Sequence, residues 1–140
     1  MSIWTLLGRL GLAFLMGGVV GWERERGGKP AGLRTLTLVS TGSALFVLVA
    51  QWAAAASAAE PDIVRIIAGI AQGIGFLGAG TIVVTHGTVH GLTTAAAVWA
   101  ISAVGTACGF GAWQLAVAGT LVIFVALRGL GWVEARISPK

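Results

Sequence analysis

Between positions 21 and 35 the chain reads GWERERGGKPAGLRT, and here the side chains able to do polar chemistry are concentrated. Glu23, Arg24, Glu25, Arg26, Lys29 and Arg34 all fall in that window, out of nine Lys and Arg and five Asp and Glu in 140 residues. Basic residues alone would anchor a membrane loop on the cytoplasmic side. Glu23 and Glu25 exceed what an anchor needs, so the stretch also reads as a functional surface. Gly27-Gly28 and Lys29-Pro30-Ala31-Gly32 specify a turn. The closing Gly-Leu-Arg-Thr returns as Gly-Leu-Thr-Thr at 91–94. Thr35, and Thr94 beside Thr93, then stand near helix N-termini, where a hydroxyl can cap free N–H groups. Two such termini on one face attract an anion or a carboxylate, with Glu23 or Glu25 as candidates. GWERERGGKPAGLRT and THGTVHGLTT are therefore expected to form a single cytoplasmic face.

A second set of candidates lies within apolar sequence. Arg9 is a charge inside a hydrophobic run, and it can snorkel to the outer interface, pair with Glu60 or Asp62, or serve a function. The segment GIAQGIGFLGAGT holds Gln72 among Gly69, Gly73, Gly75, Gly78 and Gly80. Glycines at this spacing let helix backbones approach closely, within a crossing or a dimer. Alternatively they break a helix whose free carbonyls line an ion path, with Gln72 contributing. No Asp or Glu falls in mid-span, which argues against carboxylate-driven coupling. His86 and His90 read as polar loop residues rather than metal ligands, and Cys108 is a lone cysteine, so no metal or cofactor is expected. The chain has no G-x-S-x-G elbow and no H-E-x-x-H, and no catalytic residue is assigned.

The elements that must carry these residues are membrane helices. Hydrophobic residues make up 56% of the chain and charged residues 10%, with a mean hydropathy of +0.91. Soluble domains carry about 25% charge, so an all-α membrane protein with the lipid bilayer as partner is expected. Five spans are expected, at Ile3–Trp22, Leu36–Ala59, Ile63–Val84, Leu92–Gly109 and Trp113–Trp132. MSIW carries no positive charge and GWERER stands where a cleavage site would fall, so the first span reads as retained. Arg24, Arg26, Lys29, Arg34, Arg128, Arg136 and Lys140 share one side, leaving Arg9 and Arg65 with Glu60 and Asp62 on the other. The asymmetry predicts an outside N-terminus and a cytoplasmic C-terminus. Trp4, Trp52 and Trp113 mark the outer interface, and Trp22 and Trp132 the inner one. The net charge of +4 is thus an orientation signal, and no nucleic-acid partner is expected.

Two pairs of segments match. GLAFLMGG at 11–18 aligns with GIGFLGAG at 73–80, and GLRTLTLVSTGSA at 32–44 with GLTTAAAVWAISA at 91–103. This suggests that helices 1–2 and 3–4 are parallel copies about an axis along the membrane normal, with a fifth helix added.

GWERERGGKPAGLRT and LVSTGSALF, followed by RIIAGIAQGIGFLGAGTI and GTVHGLTTAAAVWAISAVG, together resemble the membrane domain of the MgtC/SapB family. The chain is similar to the short, SapB-like form, because it ends at RISPK without a soluble C-terminal domain. The resemblance implies a single multi-pass domain over 1–140 in the bacterial inner (cytoplasmic) membrane, with links to low magnesium and virulence. It also implies a membrane-protein partner such as F-type ATP synthase. Motif by motif, it points to Glu23, Arg24, Glu25, Lys29, Pro30, Arg34, Thr35, Gln72, Gly75, Gly78, Gly80, Thr93 and Thr94. Two functions are open. One is a non-enzymatic regulator acting through helix–helix contacts, itself a homo-oligomer and most simply a dimer. The other is a small dimeric ion channel or transporter, for example for Mg2+, with its path along the glycine-rich third helix.

Overall fold

A computed structural model describes residues 1–57, 60–131 and 136–137. Helix α1 runs from Ile3–Arg26 and starts where the Ser2 hydroxyl accepts from the Thr5 N–H. It stops in the glycine-proline turn, where Gly28 and Ala31 take positive φ. Helix α2 (Leu33–Ala56) follows, then α3 (Ile63–Ala79), capped by Asp62 accepting from the Arg65 N–H. Helix α4 (Leu92–Phe110) and helix α5 (Trp113–Val125) complete the set, and α5 continues as a π-turn over Ala126–Leu130.

Four of these stretches are long and apolar enough to cross a bilayer: Ile3–Arg26, Leu33–Ala56, Leu92–Phe110 and Trp113–Leu130. The third expected span, Ile63–Val84, is shorter than the sequence suggests, because α3 ends at Ala79. Its 17 residues reach about 25 Å at 1.5 Å each, against a hydrocarbon core of about 30 Å. In place of the last helical turn and the expected loop stands a hairpin, β1 (Val83–Thr85) paired antiparallel with β2 (Thr88–His90). His86 and Gly87, both at positive φ, form its two-residue turn, the conformation that suits the right-handed twist of a hairpin. The expected ends of spans two and five, Ala59 and Trp132, lie outside the described residues, as do Glu134 and Lys140.

Packing is organised around α2 and α4. A Cβ on Gly21 would fall 2.8 Å from the Leu33 Cα, and one on Gly17 would fall 2.7 Å from the Leu36 carbonyl. α1 and α2 are therefore antiparallel and nearly in backbone contact. α4 lies against α2 in the same direction, with a Gly105 Cβ colliding with the Ser40 carbonyl and a Gly109 Cβ with Val47. Ala13, Val20, Leu36, Ala44, Val98, Ile101 and Val104 fill the core, together with Cys108 and Ala116. The outward face is apolar as well: Leu38 is 71% exposed, Phe46 68% and Phe76 82%. Large apolar side chains exposed on every long helix suit a lipid-facing surface.

Candidate functional site

The two Gly-Leu-x-Thr helix starts meet through α1. The last turn of α1 buries Arg24, which is 4% exposed. Its Nη2 donates to the Thr94 hydroxyl in the first turn of α4 at 2.6 Å and to the Pro30 carbonyl at 3.1 Å. One residue on, the Glu25 carboxylate accepts from the Leu33 N–H at 2.9 Å, the first free amide of α2. The carboxylate thus serves as cap for a helix whose N-cap, Gly32, has no side chain. A Cβ on Gly32 would strike the Glu25 carboxylate and push it from this position. The Lys29 N–H closes the turn on the Arg24 carbonyl at 3.0 Å. Arg26 stacks 5.2 Å from the Trp22 ring centroid, a pairing suited to an interface anchor.

Of the residues expected on this face, Arg24, Glu25, Pro30 and Thr94 are brought into one cluster. Lys29, Arg34, Thr35 and Thr93 surround it as exposed side chains, and Glu23 is half-buried. The expected threonine caps are absent. Neither α2 nor α4 has a side-chain cap from its N-cap residue, and Thr94 uses its hydroxyl to accept from Arg24. His86 and His90 are exposed on the hairpin.

At the opposite end Arg9 takes a role that neither snorkelling nor an acidic pair describes. Its Nη1 donates to the Gly109 carbonyl at 2.8 Å and to the Gln51 amide oxygen at 3.0 Å. The guanidinium therefore satisfies a carbonyl in the last turn of α4, where a helix favours positive charge. Asp62 pairs with Arg65 instead, at 3.3 Å. α1 thus holds both ends of α4 with arginines about 22 Å apart along its axis.

The glycine-rich helix does not cross another helix as tightly as its sequence suggests. Gly78 meets Ala95 of α4, with a Cβ position 3.4 Å from the Ala95 carbonyl, and Gly80 meets only its own helix. Gly69, Gly73 and Gly75 have nothing within 4 Å, and Gln72 is exposed rather than turned inward. Between α3 and α2 lies a lateral groove of about 690 Å³, lined by Val39, Phe46, Gly69, Ile70, Gly73 and Leu77 among others, with Ser43 and Arg65 as its polar members.

A buried hydroxyl seam between α2 and α4 is absent from the sequence reading. Ser43 and Ser102 are hydrogen-bonded at 2.8 Å, with Thr37, Ser40 and Thr106 buried around them. Ser and Thr recur through both helices, and only their shared helical face would have marked them in advance.

Among known proteins, a model of the MgtC family matches residues 10–136. SrpB of Synechococcus elongatus is 47% identical, the match covering 86% of this chain and 72% of SrpB. YhiD of Escherichia coli K12, whose given name proposes magnesium transport, is 40% identical over 94% of this chain and 63% of its own length. MgtC of Salmonella typhimurium is 43% identical over 81% of this chain, which spans about half, 47%, of that relative. No solved structure matches. The chain is therefore a membrane protein that belongs to the MgtC family.

Proposed function

We propose that the protein is a non-enzymatic regulator of the bacterial inner membrane that acts through helix–helix contacts, first with a second copy of itself. The observation that carries this reading is how little of α3 the rest of the chain covers, Gly69 and Gly73 bordering the open groove toward α2. Gly69, Gly73 and Gly75 leave the backbone bare, and the Gln72 amide stands exposed on the same helix. An amide facing hydrocarbon is left without partners. Because an amide both donates and accepts, Gln72 can satisfy itself against Gln72 of a second copy, and the glycines permit the close approach.

The same proposal takes α3 as a fifth, short span, with the N-terminus outside and the C-terminus cytoplasmic. Membranes thin or flanking residues adjust around a short helix at modest cost. The placement of Arg24, Arg26, Lys29 and Arg34 at one end of the bundle supports that orientation. The duplication also finds support. Ser43 and Ser102 occupy equal places in the aligned segments and touch one another, as residues beside a twofold axis must.

The second reading, a small ion channel or transporter, is favoured by the magnesium name of the E. coli relative. The α2–α3 groove is largely apolar, whereas Mg2+ demands oxygen ligands. Proteoliposomes holding the purified chain test the two. The regulator predicts no flux of Mg2+ or K+ above protein-free vesicles and recovery of the chain with a membrane protein, for which F-type ATP synthase is the first candidate. Reproducible flux that changes in Gln72→Leu would refute it.

A further inference from the structure

Three glycines open the groove between α2 and α3. Gly42 on the α2 wall, and Gly69 and Gly73 on the α3 wall, have nothing within 4 Å of where a Cβ would stand. α3 follows α2 in the chain and meets the first turn of α4 through Gly78 and Ala95. Since α4 lies parallel to α2, α3 runs antiparallel to it. Each wall covers twelve residue steps, 38–50 on α2 and 65–77 on α3, which is about 18 Å at 1.5 Å each. That is close to the depth of one leaflet, half of a hydrocarbon core of about 30 Å. Along that depth the walls are largely hydrocarbon. The Ser43 hydroxyl among them is engaged, donating to the Val39 carbonyl at 2.9 Å and bonded to Ser102 at 2.8 Å. A polar ligand would lose its hydration there without replacement, and an apolar gap left empty would forfeit packing.

The end of the groove at Ala50 and Arg65 is charged. Arg65 lines the groove, and its Nε lies 3.3 Å from Asp62 Oδ2. The other Asp62 oxygen accepts from the Arg65 N–H. The N–H groups on Nη1 and Nη2 of Arg65 meet no acceptor among the described residues, and the side chain is exposed. Glu60, just before Asp62 in the chain, is exposed and forms no ion pair among the described residues. Arg9, at the same end of the bundle, is turned to Gly109 and Gln51 instead. Trp52, 70% exposed and close to Ala50 in the chain, marks this level as the membrane interface. A forked guanidinium suits a phosphate, and the surplus carboxylate suits a cation. With Asp62 and Glu60 set against one arginine, a purely anionic headgroup is disfavoured, whereas a phosphate that also carries an ammonium is matched at both charges.

We propose that the groove holds one acyl chain of a phospholipid whose headgroup bears a primary ammonium, with the phosphate on Arg65 and the ammonium on Glu60 and Asp62. A helix of a second copy would fill the walls and supply nothing to the Arg65 hydrogens or to Glu60. Gln72, which carries the contact between copies proposed above, does not line the groove. Gly69, one turn before Gln72, borders both faces. The lipid therefore stands beside the contact between copies and leaves it open, and the inference does not rest on that contact.

Native mass spectrometry of the full chain, taken from vesicles of equal phosphatidylethanolamine, phosphatidylcholine and phosphatidylglycerol, counts retained lipids and copies per complex separately. Phosphatidylcholine keeps both charges but has no N–H on its cation, and phosphatidylglycerol has no cation. The expected result is one phosphatidylethanolamine per chain, retained about tenfold over either of the others, the ratio that one well-formed charged contact supplies. Gly42→Leu fills the groove from α2 and abolishes retention, while Gly11→Leu, equally open on α1, keeps it. Arg65→Gln lowers retention of phosphatidylethanolamine to that of phosphatidylcholine. Should Gly42→Leu fail to fold, Gly73→Leu fills the groove from α3, and Arg65→Gln at its exposed position reads the headgroup independently. Equal retention of the three lipids, a preference for phosphatidylglycerol, no retained lipid, or retention undiminished in Gly42→Leu overturns the inference. Loss of paired copies in Gly42→Leu, with no lipid on the parent chain, overturns it too and assigns the groove to a second copy. Single copies that still retain phosphatidylethanolamine refute the self-association and leave this inference standing.

Discussion

Arg9 and Arg24 lie on one helix and address opposite ends of the same neighbour, so the α4 dipole favours one and opposes the other. Arg9 completes a C-terminal carbonyl and an amide at once. Arg9→Leu therefore leaves the Gly109 carbonyl and Gln51 unpaired, and should cost about 2 kcal/mol, as loss of a charged hydrogen bond does. Equilibrium unfolding in mixed detergent micelles measures it. Glu25→Gln keeps an acceptor for the Leu33 amide and loses the negative charge at the α2 N-terminus, so a smaller cost of about 0.5 kcal/mol is expected in the same assay. A carboxylate at this helix start was legible as Glu23 or Glu25, since the turn's Gly and Pro are explicit, but the choice of Glu25 over Glu23 and over a threonine cap was not. The Arg9 cap was not, since its carbonyl is 100 residues away and no pattern near Arg9 points to it.

Among the helices, glycine serves two different purposes, and substitution should separate them. Gly105→Ala drives a methyl group into the Ser40 carbonyl, so one of two packed backbones must move, at about 1–3 kcal/mol. Gly69→Ala meets open space, and should leave the unfolding midpoint of the monomer unchanged while weakening self-association measured by energy transfer in vesicles. Spacing alone could not tell these glycines apart, because both sit in GxxxG-like patterns. The apolar periodicity marked four of the helices to within a few residues, and the bilayer's demand for about 20 apolar residues made them easy to see. It misjudged the end of α3. Ile82-Val83-Val84 continues the apolar run, yet β-branched residues either side of His86-Gly87 are a hairpin signal, and positive φ at both turn residues settles the choice.

At the scale of the whole molecule, α1, α2 and α4 form a closely packed unit. α3 is held chiefly by α4 and separated from α2 by the lateral groove. The helix least covered by its neighbours is thus the one richest in glycine, with Gly69 and Gly73 open to the groove. Gln72→Leu removes the exposed amide without touching that tight unit. It should preserve the unfolding midpoint and shift the population toward single copies several-fold. The most direct measurement is site-specific photo-cross-linking in native membranes, with the photoreactive side chain at Phe76 on α3 and, for comparison, at Leu121 on α5. Both positions are exposed, at 82% and 61%. The account predicts an adduct of twice the chain mass from Phe76, lost in Gln72→Leu, and only lipid adducts from Leu121. Lipid adducts alone from both positions would contradict it.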